Sequence, residues 1–124
     1  MMTGDELRKL RTQAGLTQAE LAKLLKMTAT FVGLMERGEA DVAHRTEVVI
    51  DAMLRERIDV SYSEAVHGWI VAVTRPGKPP ASREHHLLAV KPTKEAATKR
   101  AAKEQERNPL AMIIVRDHRQ IRPQ

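Results

Sequence analysis

Apolar residues recur every three or four positions from the start of the chain to about Arg57, and give way after it to short β-branched runs. The first regime is helical and the second strand-like. Thr3-Gly-Asp-Glu6 and Thr17-Gln-Ala-Glu20 both fit a capping box, in which a hydroxyl and a later carboxylate satisfy free backbone N–H groups. They predict helices opening near residues 4 and 18. The first runs through Leu7 and Leu10 to a stop at Gly15, and the second turns Leu21, Ala22, Leu24 and Leu25 inward. A third opens at Thr28, buries Val32 and Met35, and ends at Gly38. A fourth, after a loop at Glu39–Ala43, carries Val49, Ala52 and Met53 inward toward about Arg57.

Gly68-Trp-Ile-Val-Ala-Val-Thr74 reads as a strand ended by Arg75-Pro-Gly, and a loop from Pro76 to His86 contains Pro79-Pro80. Leu87–Lys91 reads as a second strand. Pro92-Thr93 opens a helix up to Arg107, Asn108-Pro109 stops it, and Leu110–Arg116 is a third strand. The expected fold class is α+β: a domain of four or five helices over residues 1–58, a linker over 59–67, and a small ββαβ domain over 68–124. Trp69, Ile70, Val71, Val73, Leu88, Ile113 and Ile114 are its candidate core. So small a two-layer core buries little surface, and pairing with a second copy would add to it, with Trp69, Val71, Val73, Ile113 and Val115 as candidate interface residues. No internal repeat is visible.

Residues 17–38, TQAELAKLLKMTATFVGLMERG, resemble the helix-turn-helix of the Cro/C1 (XRE-like) family of phage and bacterial transcriptional regulators. The likeness extends more loosely over about residues 3–57. Thr17-Gln-x-x-Leu21-Ala22, Met27 at the turn, Val32 and Glu36-Arg-Gly38 carry it, several chemistries fixed in one short window. Two short helices in this arrangement cross steeply, so that one lies over the DNA backbone while the next enters the major groove.

The resemblance implies an ion pair between Arg11 and Glu36, from the first helix to the end of the recognition helix. It also implies base-facing positions at Ala29, Thr30, Gly33 and Leu34, with Thr28 at the cap. None of these can make the bidentate Arg–guanine or Gln/Asn–adenine bonds that carry most specific readout. The Thr30 hydroxyl, and apolar contacts of Ala29 and Leu34 with thymine methyl groups, are what remain. Gly33 would let the backbone approach DNA closely, or is simply tolerated.

Helix N-termini offer free N–H groups and positive dipole ends to phosphate. Thr17 and above all Gln18 are the candidates on the second helix, with Lys26, Arg37, His44, Arg45 and Thr46 as companions that fit solvated surface positions equally well. Arg45 could instead reach a narrow minor groove.

The formal net charge of +5 favours polyanionic partners. Residues 1–58 are neutral overall, so the surplus lies beyond the helix-turn-helix. Part of it is a stripe of Lys99, Lys103 and Arg107 with Arg100 adjacent, opposite Ala97, Ala101 and Ala102. That stripe fits flanking phosphates, and fits a solvated face better.

No apolar run approaches the roughly 18 residues of a membrane span, no signal peptide is expected, and zero cysteines exclude disulfides and thiolate metal sites. Cytoplasmic localisation is the default. His85-His86 lacks the i, i+4 spacing of a helical zinc pair, and neither an enzyme signature nor a cofactor motif is present. The expected partners are double-stranded DNA and a second copy of the chain. Three readings stand in order: a dimeric repressor or autorepressor on an inverted repeat, an antitoxin whose second half binds a toxin, and a small-ligand sensor. An enzyme comes last.

Overall fold

A computed structural model describes residues 1–77 and 82–117; the Pro79-Pro80 expectation falls outside them. The helices α1 (Gly4–Gln13), α2 (Gln18–Leu25), α3 (Ala29–Glu36) and α4 (His44–Leu54) are followed by strands β1 (Arg57–Ser63), β2 (Gly68–Pro76) and β3 (Arg83–Lys91). Helix α5 (Lys94–Arg107) and strand β4 (Met112–Arg116) complete an α+β fold. The chain divides into two compact units, the first made of residues 1–55 with Pro76, Gly77 and Ser82, the second of residues 56–75 and 83–117. No described helix is long and apolar enough to cross a membrane.

In the first unit α1 packs on α3 and α4, and α2 packs on α3. Leu7, Leu10, Leu21, Ala22, Val32, Met35, Ile50 and Leu54 are its buried side chains on the helices. Ile50 and Leu54 lie one turn apart on the inner face of α4, so the expected inward Val49 and Ala52 are exposed and Met53 is half-buried. Leu24 and Leu25 are likewise only half-buried.

The Thr17 capping box is reciprocal, with Thr17 Oγ1 accepting from Glu20 N–H and the Glu20 carboxylate accepting from Thr17 N–H. At Thr3 the hydroxyl accepts from Glu6 N–H, but the Glu6 carboxylate is taken by Arg55, which also holds Asp51. Three helices end with one and the same bond, from the N–H five residues on: Leu16 to Arg11 O, Met27 to Ala22 O, and Glu39 to Leu34 O. Each such end places one residue at positive φ. Gly15 and Gly38 fill two of these places, and Lys26, at φ 56°, fills the third.

The second unit departs from expectation at its start. Residues 59–67 are not a linker but the rest of β1 and the turn that leads into β2, which makes the unit β-β-β-α-β. The reason is visible in Arg57-Ile-Asp-Val-Ser-Tyr-Ser63: Ile58, Val60 and Tyr62 alternate with polar residues, the period of a half-buried strand. The sheet order is β3-β2-β1-β4, with β1 antiparallel to β2 and parallel to β4. The register pairs Ile58 with Val73, Val60 with Val71 and Tyr62 with Trp69. Arg83–His86 belong to β3 rather than to a loop, and β4 starts at Met112 rather than Leu110.

Helix α5 covers one sheet face through Ala97 and Ala101, while Ala102 is exposed. Trp69, Val71 and Val73 are buried in this unit's own core. They are therefore not the dimer-interface residues expected of them. Ile113 packs against the same core, and Val115 remains exposed at the edge.

The Glu104 carboxylate on α5 accepts bonds from Arg75 at 3.1 Å, Arg107 at 2.5 Å and Arg100 at 3.4 Å. Burial pushes its pKa up, but the bonds and charges of Arg107 and Arg100 outweigh that and hold it below the usual carboxylate range. A depressed carboxyl pKa stabilises the fold at neutral pH, and the contribution is lost as pH falls through that pKa. Glu104→Gln is expected to cost roughly 2 kcal/mol at neutral pH. The difference from the parent should shrink in denaturant titrations repeated at falling pH.

Candidate nucleic-acid interface

Helix α2 and α3, joined by the turn at Lys26–Thr28, pack on one another in the first unit. Ala22, 3% exposed, keeps the two helices close, and its carbonyl receives the N–H of Met27 in the turn. Thr28 then caps α3, its Oγ1 accepting from Phe31 N–H at 3.1 Å. Steps of about 100° per residue place Val32, Gly33, Met35 and Glu36 on the inner side of α3, and Thr30, Phe31 and Leu34 on the outer. Val32 and Met35 are buried; Ala29, Thr30 and Phe31 are exposed and Leu34 is half-buried.

Gly33 does not lie where a base-facing residue would. It is buried, and a Cβ at this position would meet Arg37 Nη1 at 3.1 Å and the Gln18 amide oxygen at 3.6 Å. Its bareness gives room to those two side chains rather than to DNA. Because the tighter contact is with the free end of an exposed arginine, Gly33→Ala should be accommodated. Relief of the glycine helix penalty should then raise stability by up to about 1 kcal/mol. A thermal midpoint below that of the parent would contradict this.

Behind α3 lies a polar linkage. Glu36, with a side chain 3% exposed, accepts from Arg11 Nε at 2.6 Å, Arg11 Nη2 at 3.0 Å and Gln18 Nε2 at 3.1 Å. Arg11 Nη1 also donates to Leu16 O at 2.8 Å. Burial raises the Glu36 pKa, but the bonds from Arg11 and Gln18 and the charges of Arg11 and Arg8 prevail, and it lies below the usual carboxylate range. The Arg11 pKa is raised, first by its bond to Glu36. One carboxylate thus joins α1, α2 and the end of α3.

The candidate phosphate contacts fall into two groups. On α2, Thr17 is engaged in its own capping box, while Gln18 gives one amide hydrogen to Glu36 and keeps the second. The first-turn N–H groups of Gln18 and Ala19 have no partner within the helix. Arg37 is exposed, next to Gln18 across Gly33, and pairs with Glu39 at 2.6 Å. The other group surrounds the start of α4. His44 and Arg45 are exposed and Thr46 half-buried, and the N-cap Ala43 makes no side-chain bond to the helix. A shallow cleft of about 220 Å³ has Lys26, Arg45 and Thr46 in its wall.

Sequence reasoning missed Phe31, although the inward spacing of Val32 and Met35 implies that Phe31 and Leu34 face out. In the second unit Lys99, Lys103 and Arg107 are exposed, and Arg100 is turned to Glu104. His85 Nδ1 lies 3.1 Å from Thr74 Oγ1 and His86 lies near Glu84. As neighbours on β3 the two histidines point to opposite faces of the sheet. Among the described residues no group of three or more His, Asp or Glu is placed to hold a metal ion.

Residues 4–55 match the family model of a helix-turn-helix domain. No curated protein and no solved structure matches the chain. The matched stretch covers all four helices of the first unit and stops short of β1.

Proposed function

We propose that the helix-turn-helix domain at residues 4–55 makes this chain a sequence-specific regulator of transcription, a dimeric repressor or autorepressor that reads an inverted repeat in double-stranded DNA. The observation that carries the reading is the placement of α3. Its outer face is turned to solvent, its inner end is locked by Arg11, Glu36 and Gln18, and donors on α2 and α4 flank it. A recognition helix needs that combination, a free face and a fixed orientation, since phosphate contacts set the register and base contacts read the sequence.

Dimerisation rests on two features. A single short helix is a weak reader, and two half-sites related by a two-fold axis double its contacts. Strands β3 and β4 are the edges of the sheet and carry exposed Leu87, Val90, Met112 and Val115, so an edge can extend the sheet across the two-fold axis. The same edges favour a second reading, in which they hold a small toxin and the helix-turn-helix autoregulates the operon. Co-purification of a second small protein would move that reading ahead, whereas a homodimer in light scattering supports the first.

The test of DNA reading uses two substitutions. Gln18→Ala is expected to weaken binding on all sequences, and Thr30→Ala to relax preference at one base pair. Unchanged binding by both variants would contradict the docking.

A further inference from the structure

We propose that Phe31 is a base-reading residue, and that its ring packs on the C5-methyl group of a thymine in the major groove. The inference rests on α3 being the recognition helix, and it names what that helix reads. Phe31 is the chain's one phenylalanine, and it stands 40% exposed in the first turn of α3, although phenylalanine is among the residues most often buried. The two other aromatics, Tyr62 and Trp69, are paired at 5.6 Å in the core of the second unit. The first unit fills its interior from α3 without Phe31, because Val32 and Met35 are 0% and 1% exposed. The bond from Phe31 N–H to Thr28 Oγ1 fixes the backbone from which the ring projects. This first turn is the part of a recognition helix that reaches base edges.

The chemistry of the face then selects the base. Helix α3 has no arginine, lysine, asparagine or glutamine, and its one charged residue, Glu36, is held by Arg11 and Gln18. Ala29, Thr30, Phe31 and Leu34 present methyl groups, an aliphatic branch, one hydroxyl and a ring. Guanine, cytosine and adenine show only donors and acceptors in the major groove, and these would lose water beneath the ring without gaining a partner. Thymine alone offers an apolar group there.

The experiment uses the full chain and a duplex enriched from a randomised pool, with each thymine replaced in turn by deoxyuridine, which removes only the methyl group. At one thymine per half-site the parent protein should lose about 3- to 5-fold in affinity, the worth of one buried methyl group. Phe31→Ala should bind both duplexes equally and more weakly than the parent, and Phe31→Leu should keep part of the difference. Equal binding by the parent at every position, or full discrimination kept by Phe31→Ala, would overturn the proposal while leaving sequence-specific binding intact. Failure to enrich any duplex would instead overturn both the reading it rests on and the proposal.

Discussion

Gly4→Ala is expected to destabilise the first unit by roughly 3 kcal/mol, the upper end of what overpacking costs. Helix propensity predicts the opposite sign, because alanine is favoured over glycine by about 1 kcal/mol within a helix. Packing decides the outcome. A Cβ at Gly4 would lie 2.2 Å from the carbonyl oxygen of Met35 and 2.6 Å from that of Glu36. Both neighbours are backbone, so no side-chain rotation relieves the contact, and the start of α1 must move away from the end of α3. That movement would also disturb the carboxylate that orients α3. Denaturant unfolding should therefore show a lower midpoint, accompanied by weaker DNA binding. A midpoint equal to or above that of the parent would show that α1 and α3 are not so close.

Arg11→Met is the second large effect, about 3 kcal/mol at neutral pH, because it leaves the Glu36 carboxylate nearly enclosed and without its main partner. The pH dependence gives this prediction its signature. In the parent, Glu36 has a depressed pKa, so its contribution is present above the usual carboxylate range and is lost as pH falls through the folded pKa. In Arg11→Met, burial acts against a weaker opposition, and protonation removes the stranded charge. The stability gap between the two proteins should be widest near neutrality and narrow toward acid. Adding Glu36→Gln to the variant should restore part of the loss. A gap independent of pH would mean that Arg11 acts through packing alone.

Much of the helical half is legible in the sequence because its signals are local. Thr3, Thr17 and Thr28 cap helices through hydroxyls that reach only three residues along the chain, and Gly15 and Gly38 mark the stops. Lys26 is not legible in this way, since it takes the left-handed position at which glycine is the usual signal. Arg11 and Glu36 lie 25 residues apart, and nothing local links them; the resemblance to a known helix-turn-helix suggested their pairing, and the structure joins them. Gly33 shows the limit of carrying positions over from a family. Its side of α3 is settled by where Gln18 and Arg37 rest, a matter of tertiary packing.

The second half shows the opposite difficulty. Strand β1 has three apolar residues set among charged and polar ones, and directly follows a helix whose pattern runs into it. Its partners are supplied by β2 and by β4, the latter more than fifty residues away. Trp69, Val71 and Val73 fit a core and a partner's interface alike when α5 is left out, and are core once Ala97 and Ala101 bring that helix down on them. Pairing across the sheet and coverage by α5 are non-local, so one run of residues fits either role until the topology is known.

The measurement that bears most directly on the central claim is selection of duplexes from a randomised DNA pool by the purified protein at near-physiological salt. Enrichment of an inverted repeat with half-site centres about 10–11 base pairs apart, or a multiple of that spacing, is the expected result. Retention of DNA without sequence preference, lost steeply as salt is raised, would contradict it.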